Sequence, residues 1–149
     1  MAELSGRVQN ALNEARILVL VGQVLFAYSF EAAFEPKYEK LPQLARFAGL
    51  TGLTLLLLGL AFLMTPAAFH VIVEDGDDSE GFHRVTSAFV TIVLPIFAAA
   101  AALEVFMMAT SAFGAGTAAC LGGGLFAWAL FFWVGLELYA RRRRDRAEG

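Results

Sequence analysis

A single cysteine, Cys120, in 149 residues rules out an internal disulfide, so covalent cross-links do not hold this fold. With only two histidines beside that thiol, no Cys/His set stands at metal-ligand spacing. Charged side chains make up 17% of the chain, against about a quarter in soluble domains. From Val105 to Leu136 there is no Asp, Glu, Lys, Arg or His at all. Catalytic signatures are missing as well: there is no Gly-x-Ser-x-Gly elbow and no phosphate-binding glycine loop after a strand. The sequence therefore predicts a protein that is not an enzyme and carries neither cofactor nor metal. Its net charge of −3, with one short basic tail at the C-terminus, lacks the basic face that a nucleic-acid partner requires.

What the chain has in excess is apolar surface. Its hydrophobic content is 58% and its mean hydropathy +0.64, above the 45–50% apolar share of soluble domains. The uncharged stretch of about 32 residues exceeds the ~20 that one bilayer span needs, so it predicts the end of one helix, a turn and a second helix. Ser111-Ala112-Phe113-Gly114-Ala115-Gly116 has the only turn chemistry within it.

Four apolar runs predict an all-α, integral membrane four-helix bundle forming a single domain over residues 1–149. The spans fall at about 17–34, 44–64, 85–108 and 117–139, with a polar, acidic loop at about 65–84 and a basic tail at 140–149. An even number of spans puts both termini and the middle loop on one side. That side carries Arg7, Arg16, Arg84 and the tail arginines, against Lys37, Lys40 and Arg46 on the other. Basic segments stay cytoplasmic, which predicts a multi-pass membrane protein with both ends inside. A competing reading takes the first apolar run as a signal peptide cleaved near Ala27-Tyr28-Ser29, leaving three spans. Glu14, between Arg7 and the apolar run, speaks against it.

Thr65-Pro66 predicts a helix start, with Thr as N-cap and Pro at the first helical position, and a short surface helix from Pro66 to about Val73. At the first loop, Glu35-Pro36-Lys37-Tyr38 marks a helix exit.

Arg16-Ile17-Leu18-Val19-Leu20-Val21-Gly22-Gln23-Val24-Leu25-Phe26-Ala27, followed by Phe34, Pro36, Thr65-Pro66-Ala67-Ala68-Phe69-His70 and Pro95, resembles a family of small bacterial four-span membrane proteins. That family is known only as a domain of unknown function, and some members bear an automatic sodium:proton antiporter label. The likeness spans Glu14 to about Trp133 and implies a shared fold without implying an activity. Val71 stands where the family pattern would put a basic residue after His70, so no His-basic pair is implied there.

Ionisable groups inside lipid cost about 2.5–3.5 kcal/mol on insertion scales, so each one invites a reason. At 100° per residue, Gln23 lies within about 20° of Arg16, and Glu31 about 60° to the other side, which predicts one polar stripe facing protein. It reads either as a file for a proton or cation, or as a Gln23 interhelical hydrogen bond with Arg16 and Glu31 reaching opposite interfaces. Glu104 lies about six residues, or roughly 9 Å of rise, from the outer end of the third span. If Glu31 and Glu104 approach each other in low dielectric, both cannot ionise easily and one could exchange a proton. Otherwise Glu104 meets headgroup water or pairs with Lys37 or Lys40.

Pro95 predicts a helix kink, as a packing bend or a hinge. Gly116, Cys120 and Gly124, spaced by four, form a small-residue helix-packing stripe that suits either a contact within the bundle or a homo-oligomer. The acidic loop, with His70, Glu74, Asp75, Asp77, Asp78, Glu80 and His83, fails the calcium-loop test, because Glu80 and Thr86 occupy the positions of the required Gly and Glu. Arg141, Arg142, Arg143, Arg144 and Arg146 suit anionic lipid headgroups and set the topology. The bilayer is then the first partner, with a homo-oligomer or a larger membrane protein as the second. The sequence predicts a structural or accessory membrane protein. The alternative is proton-linked or cation transport through an oligomer using Glu104, Glu31 and Gln23.

Overall fold

The computed structural model describes residues 2–72, 80–136 and 139. Side chains are described from Asn13 to Thr65 and from Thr86 to Leu136, with a few positions outside. The acidic run at 74–78 and the arginines at 141–144 and 146 lie outside the described residues, as do the side chains of His70 and His83.

Four helices follow in order: α1 (Ala2–Ala33), α2 (Gln43–Ile72), α3 (Glu80–Phe113) and α4 (Ala115–Leu130). A short 3-10 turn, Tyr38–Lys40, precedes α2, and a π-helical turn, Phe131–Gly135, continues α4. Each helix holds a segment long and apolar enough to cross a membrane: Asn13–Ala33, Gln43–Thr65, Thr86–Phe113 and Ala115–Gly135. The all-α bundle expected from the apolar runs is therefore the fold.

Two local expectations are corrected. Thr65 caps no new helix, because α2 runs on through Pro66 to Ile72 and the Thr65 hydroxyl donates to the Ala61 carbonyl 2.9 Å away. A threonine pointing back at its own helix satisfies its hydroxyl without ending the helix. The reversal between α3 and α4 is shorter than the six residues from Ser111 to Gly116. Gly114 alone turns the chain, at φ +80°, a backbone region open to glycine and strained for other residues. Pro95 stands inside α3 without ending it.

α3 is the hub. It packs α1 and α2 on one side and α4 on the other, while α4 meets neither α1 nor α2 extensively. One row of buried residues on α2, Ala45, Gly49, Gly52, Leu56, Gly59 and Leu63, alternates by four and three; on α3, Val93, Phe97, Ala100, Glu104 and Met107 form a matching row. That is the knobs-into-holes period of an antiparallel helix pair. Small positions on α2 receive large side chains from α3: Met107 fills the space beside Gly49, and Phe97 that beside Gly59. Phe97 also touches Gly22 on α1, so its ring lies in a slot between two glycines of different helices. Around it Leu56, Leu63, Val93 and Ala100 close the core. In lipid, close backbone approach of this kind supplies the packing energy that water expulsion supplies elsewhere.

Candidate functional site

Among the described residues, Glu104 is the charged side chain that the helices bury. It keeps 9% of its surface, in the middle of the α2–α3 seam. Nine residues separate it from Phe113, about 13.5 Å of rise, so it lies deeper from the helix end than the turn chemistry implied. Gly52 makes the room: a Cβ there would meet Glu104 Oε1 at 3.0 Å and the Ala100 carbonyl oxygen at 3.2 Å. Ser29 of α1 directs its hydroxyl to the carboxyl group, while Oε1 has no hydrogen-bond partner among the described residues.

The loop between α1 and α2 roofs this carboxyl group. Tyr38 donates its phenolic hydrogen to the Arg46 carbonyl at 2.9 Å, which ties the 3-10 turn down onto the start of α2. Arg46 is half-buried, and its Nε also lacks a partner among the described residues. Burial pushes the Tyr38 phenol above 10.0, with Arg46 opposing and Glu104 adding to the shift. A phenol raised in the folded state contributes stability below about pH 10, lost as pH rises through its folded pKa. We expect absorbance titration to show a late phenolate component that Tyr38→Phe removes. The same substitution should cost about 1 kcal/mol through the lost hydrogen bond, and a melting curve unchanged from wild type would contradict it.

Beyond Tyr38 the surface opens into a cleft of about 810 Å³, lined by residues of α1, the loop and the end of α3, including Glu31, Glu35, Lys37 and Lys40. Tyr38 and Met107 line both this cleft and the packed space around Glu104, so they form the partition between the two. A separate apolar hollow of about 330 Å³ lies between α3 and α4, lined by Ala102, Phe106, Gly122 and Phe126 among others.

The structure rearranges several sequence expectations. Arg16, Gln23 and Glu31 are all exposed, so the polar stripe of α1 does not face the bundle. The inward face of α1 is instead Ala15, Gly22 and Ser29, at intervals of seven, because only small residues let α1 approach α2 and α3. Glu31 lines the open cleft while Glu104 lies behind the partition, and Gln23 belongs to neither. On α4, Gly116, Cys120 and Gly124 face outward, and nothing would touch a Cβ at either glycine. The contact with α3 falls on Ala118, Gly122 and Ala129, two positions around the helix from the expected stripe. Ser29, Tyr38, Gly52 and Gly59 were not singled out as site or seam residues. The Ala45, Gly49, Gly52, Gly59 spacing carried the signal for the α2 seam; nothing in the sequence joined Ser29 and Tyr38 to Glu104.

No match to this chain occurs among the curated proteins or the solved structures compared with it. The pattern of a family of unknown function, DUF6328, does match, over residues 3–137 and hence across all four helices. The chain belongs to that family of unknown function, DUF6328, and is a membrane protein built as a helical bundle.

Proposed function

We propose that this is a non-catalytic membrane protein of structural or accessory type, self-associating in the bacterial inner membrane with both termini cytoplasmic. One observation carries the self-association. Gln23, near the middle of the first span, presents its amide on the outward face of α1, where lipid offers no hydrogen-bond partner. A second copy, or a larger membrane partner, satisfies that amide at the interface. The outward Gly116, Cys120 and Gly124 of α4 add a face on which another helix can approach closely.

Mass measurement of the purified protein in mild detergent tests this reading. A dimer or larger oligomer is expected, weakened by Gln23→Leu by about 0.6–2 kcal/mol, the range for an interhelical amide bond. A monomer at all concentrations, with no larger protein co-purifying, removes it. The arginine tail argues for cytoplasmic termini by the positive-inside rule, and labelling of a C-terminal tag only after cells are opened is the expected result.

Glu104 supports a second reading, proton-linked or cation transport. A carboxyl group with a free oxygen, one tyrosine and one methionine away from an open cleft, is a candidate relay. Glu31 lines the open cleft and Gln23 faces outward, and in this reading Ser29 and Tyr38 act beside Glu104. Under the accessory reading, protein in liposomes moves neither protons nor alkali cations, and Glu104→Gln behaves as wild type. Flux that Glu104→Gln abolishes would establish transport instead.

A further inference from the structure

We propose that the cleft beside the first loop is a binding site for a phospho-ammonium zwitterion, the headgroup of a zwitterionic phospholipid. Its volume, about 810 Å³, is within the 300–1,000 Å³ usual for small-molecule sites. Its depth is that of headgroups, since the spanning segments around it end at Ala33 and Phe113 and begin at Gln43. The charges that line it are sorted by sign. Lys37 and Lys40 are three apart on a 3-10 turn, closed by Lys40 N–H to Lys37 O at 3.2 Å, and side chains at that spacing eclipse. Glu31 is in the last turn of α1 and Glu35 two residues past its end, where its N–H donates to the Ala32 carbonyl at 3.3 Å, and both line the cleft.

No ion pair among the described residues joins the two signs, so both remain available to a ligand. Two cations and two anions sum to zero. A purely anionic ligand would gain the lysines and be repelled by the glutamates, and a bare cation the reverse; a group carrying phosphate and ammonium satisfies both walls. The Thr110 and Ser111 hydroxyls are already committed, donating to the Phe106 and Met108 carbonyls at 2.6 and 2.8 Å. Tyr28, also lining the cleft, adds an aromatic face of the kind that holds ammonium groups. Met107, Met108 and Leu41 give the lining apolar surface for the first carbons of an acyl chain.

Native mass spectrometry of the full chain in detergent, with equimolar phosphatidylethanolamine and phosphatidylglycerol, reads the preference directly. At least fivefold more phosphatidylethanolamine should be retained. Lys37→Ala/Lys40→Ala, which removes the phosphate contacts and leaves the glutamates, should lower retention of both lipids, and Glu31→Gln/Glu35→Gln should turn the preference toward phosphatidylglycerol. All four side chains are exposed, so helicity should be unchanged and circular dichroism verifies it. Soluble phosphoethanolamine is the second arm: if it displaces the lipid, the cleft takes the free zwitterion as well, and if it does not, the acyl contact is part of the site. Equal retention of both lipids, a phosphatidylglycerol preference in wild type, or a preference unmoved by both double variants would overturn the proposal.

Discussion

Truncating Phe97 to alanine is expected to destabilise the helical core by about 3 kcal/mol, the low end for emptying a buried phenylalanine site. The ring keeps 4% of its surface and is held between Gly22 of α1 and Gly59 of α2, so no neighbour can collapse into the space without moving a helix. In a bilayer the loss is mainly dispersion contact, because the surroundings are apolar whether the site is filled or not. At 2–4 °C per kcal/mol, the thermal midpoint in detergent should fall by roughly 6–12 °C. Gly59→Ala attacks the same contact from the other side, since its Cβ would collide with the Phe97 ring, and overpacking of this kind costs about 1–3 kcal/mol. The two substitutions should be non-additive, as neighbours sharing one contact are. Phe132→Ala, on an exposed ring, is the control. A Phe97→Ala shift no larger than the Phe132→Ala shift would refute the assignment of Phe97 to the core.

Three consecutive glycines on α4 supply the second test, because the same substitution should give different results at adjacent positions. A Cβ at Gly122 would sit 2.7 Å from the Ala102 carbonyl oxygen, a backbone atom that no rotamer change can move. α4 packs on α3 with little other support, so Gly122→Ala must push the helix outward, at a cost of about 1–3 kcal/mol. Gly123 and Gly124 have nothing within 4 Å of such a Cβ. Alanine there should be neutral or stabilising by up to about 1 kcal/mol, because glycine is the poorer helix former. Thermal unfolding of the three variants checks the order, and a Gly122→Ala protein as stable as the Gly124→Ala protein would place α4 differently.

The spans were legible because lipid makes a crude demand: about 20 apolar residues and internally satisfied backbone hydrogen bonds. The demand is one-dimensional, and the run from Val105 to Leu136, split at Gly114, meets it whatever the neighbours do. Glu104 was legible too, as a carboxyl group in an apolar helix. Its companions were not. Rotation about a helix axis is set by which small residues let backbones meet, and α1 offered Gly22 and Ser29 on one side and Gln23 on another, with no rule to rank them. The same ambiguity left Gly116, Cys120 and Gly124 open to a contact within the bundle or with another copy, and the contact with α3 falls on Ala118, Gly122 and Ala129.

Composition and apolar run length alone determined that this chain is an all-helical membrane protein with four segments long enough to cross a bilayer. Tertiary packing decided that α3 is the hub, that Phe97 locks three helices, that Gln23 faces outward, and that Ser29 and Tyr38 surround Glu104. The reason is that entry into lipid depends on a sum over each segment, which a sequence states outright, whereas helix rotation depends on ångström-scale clearances between segments far apart in the chain.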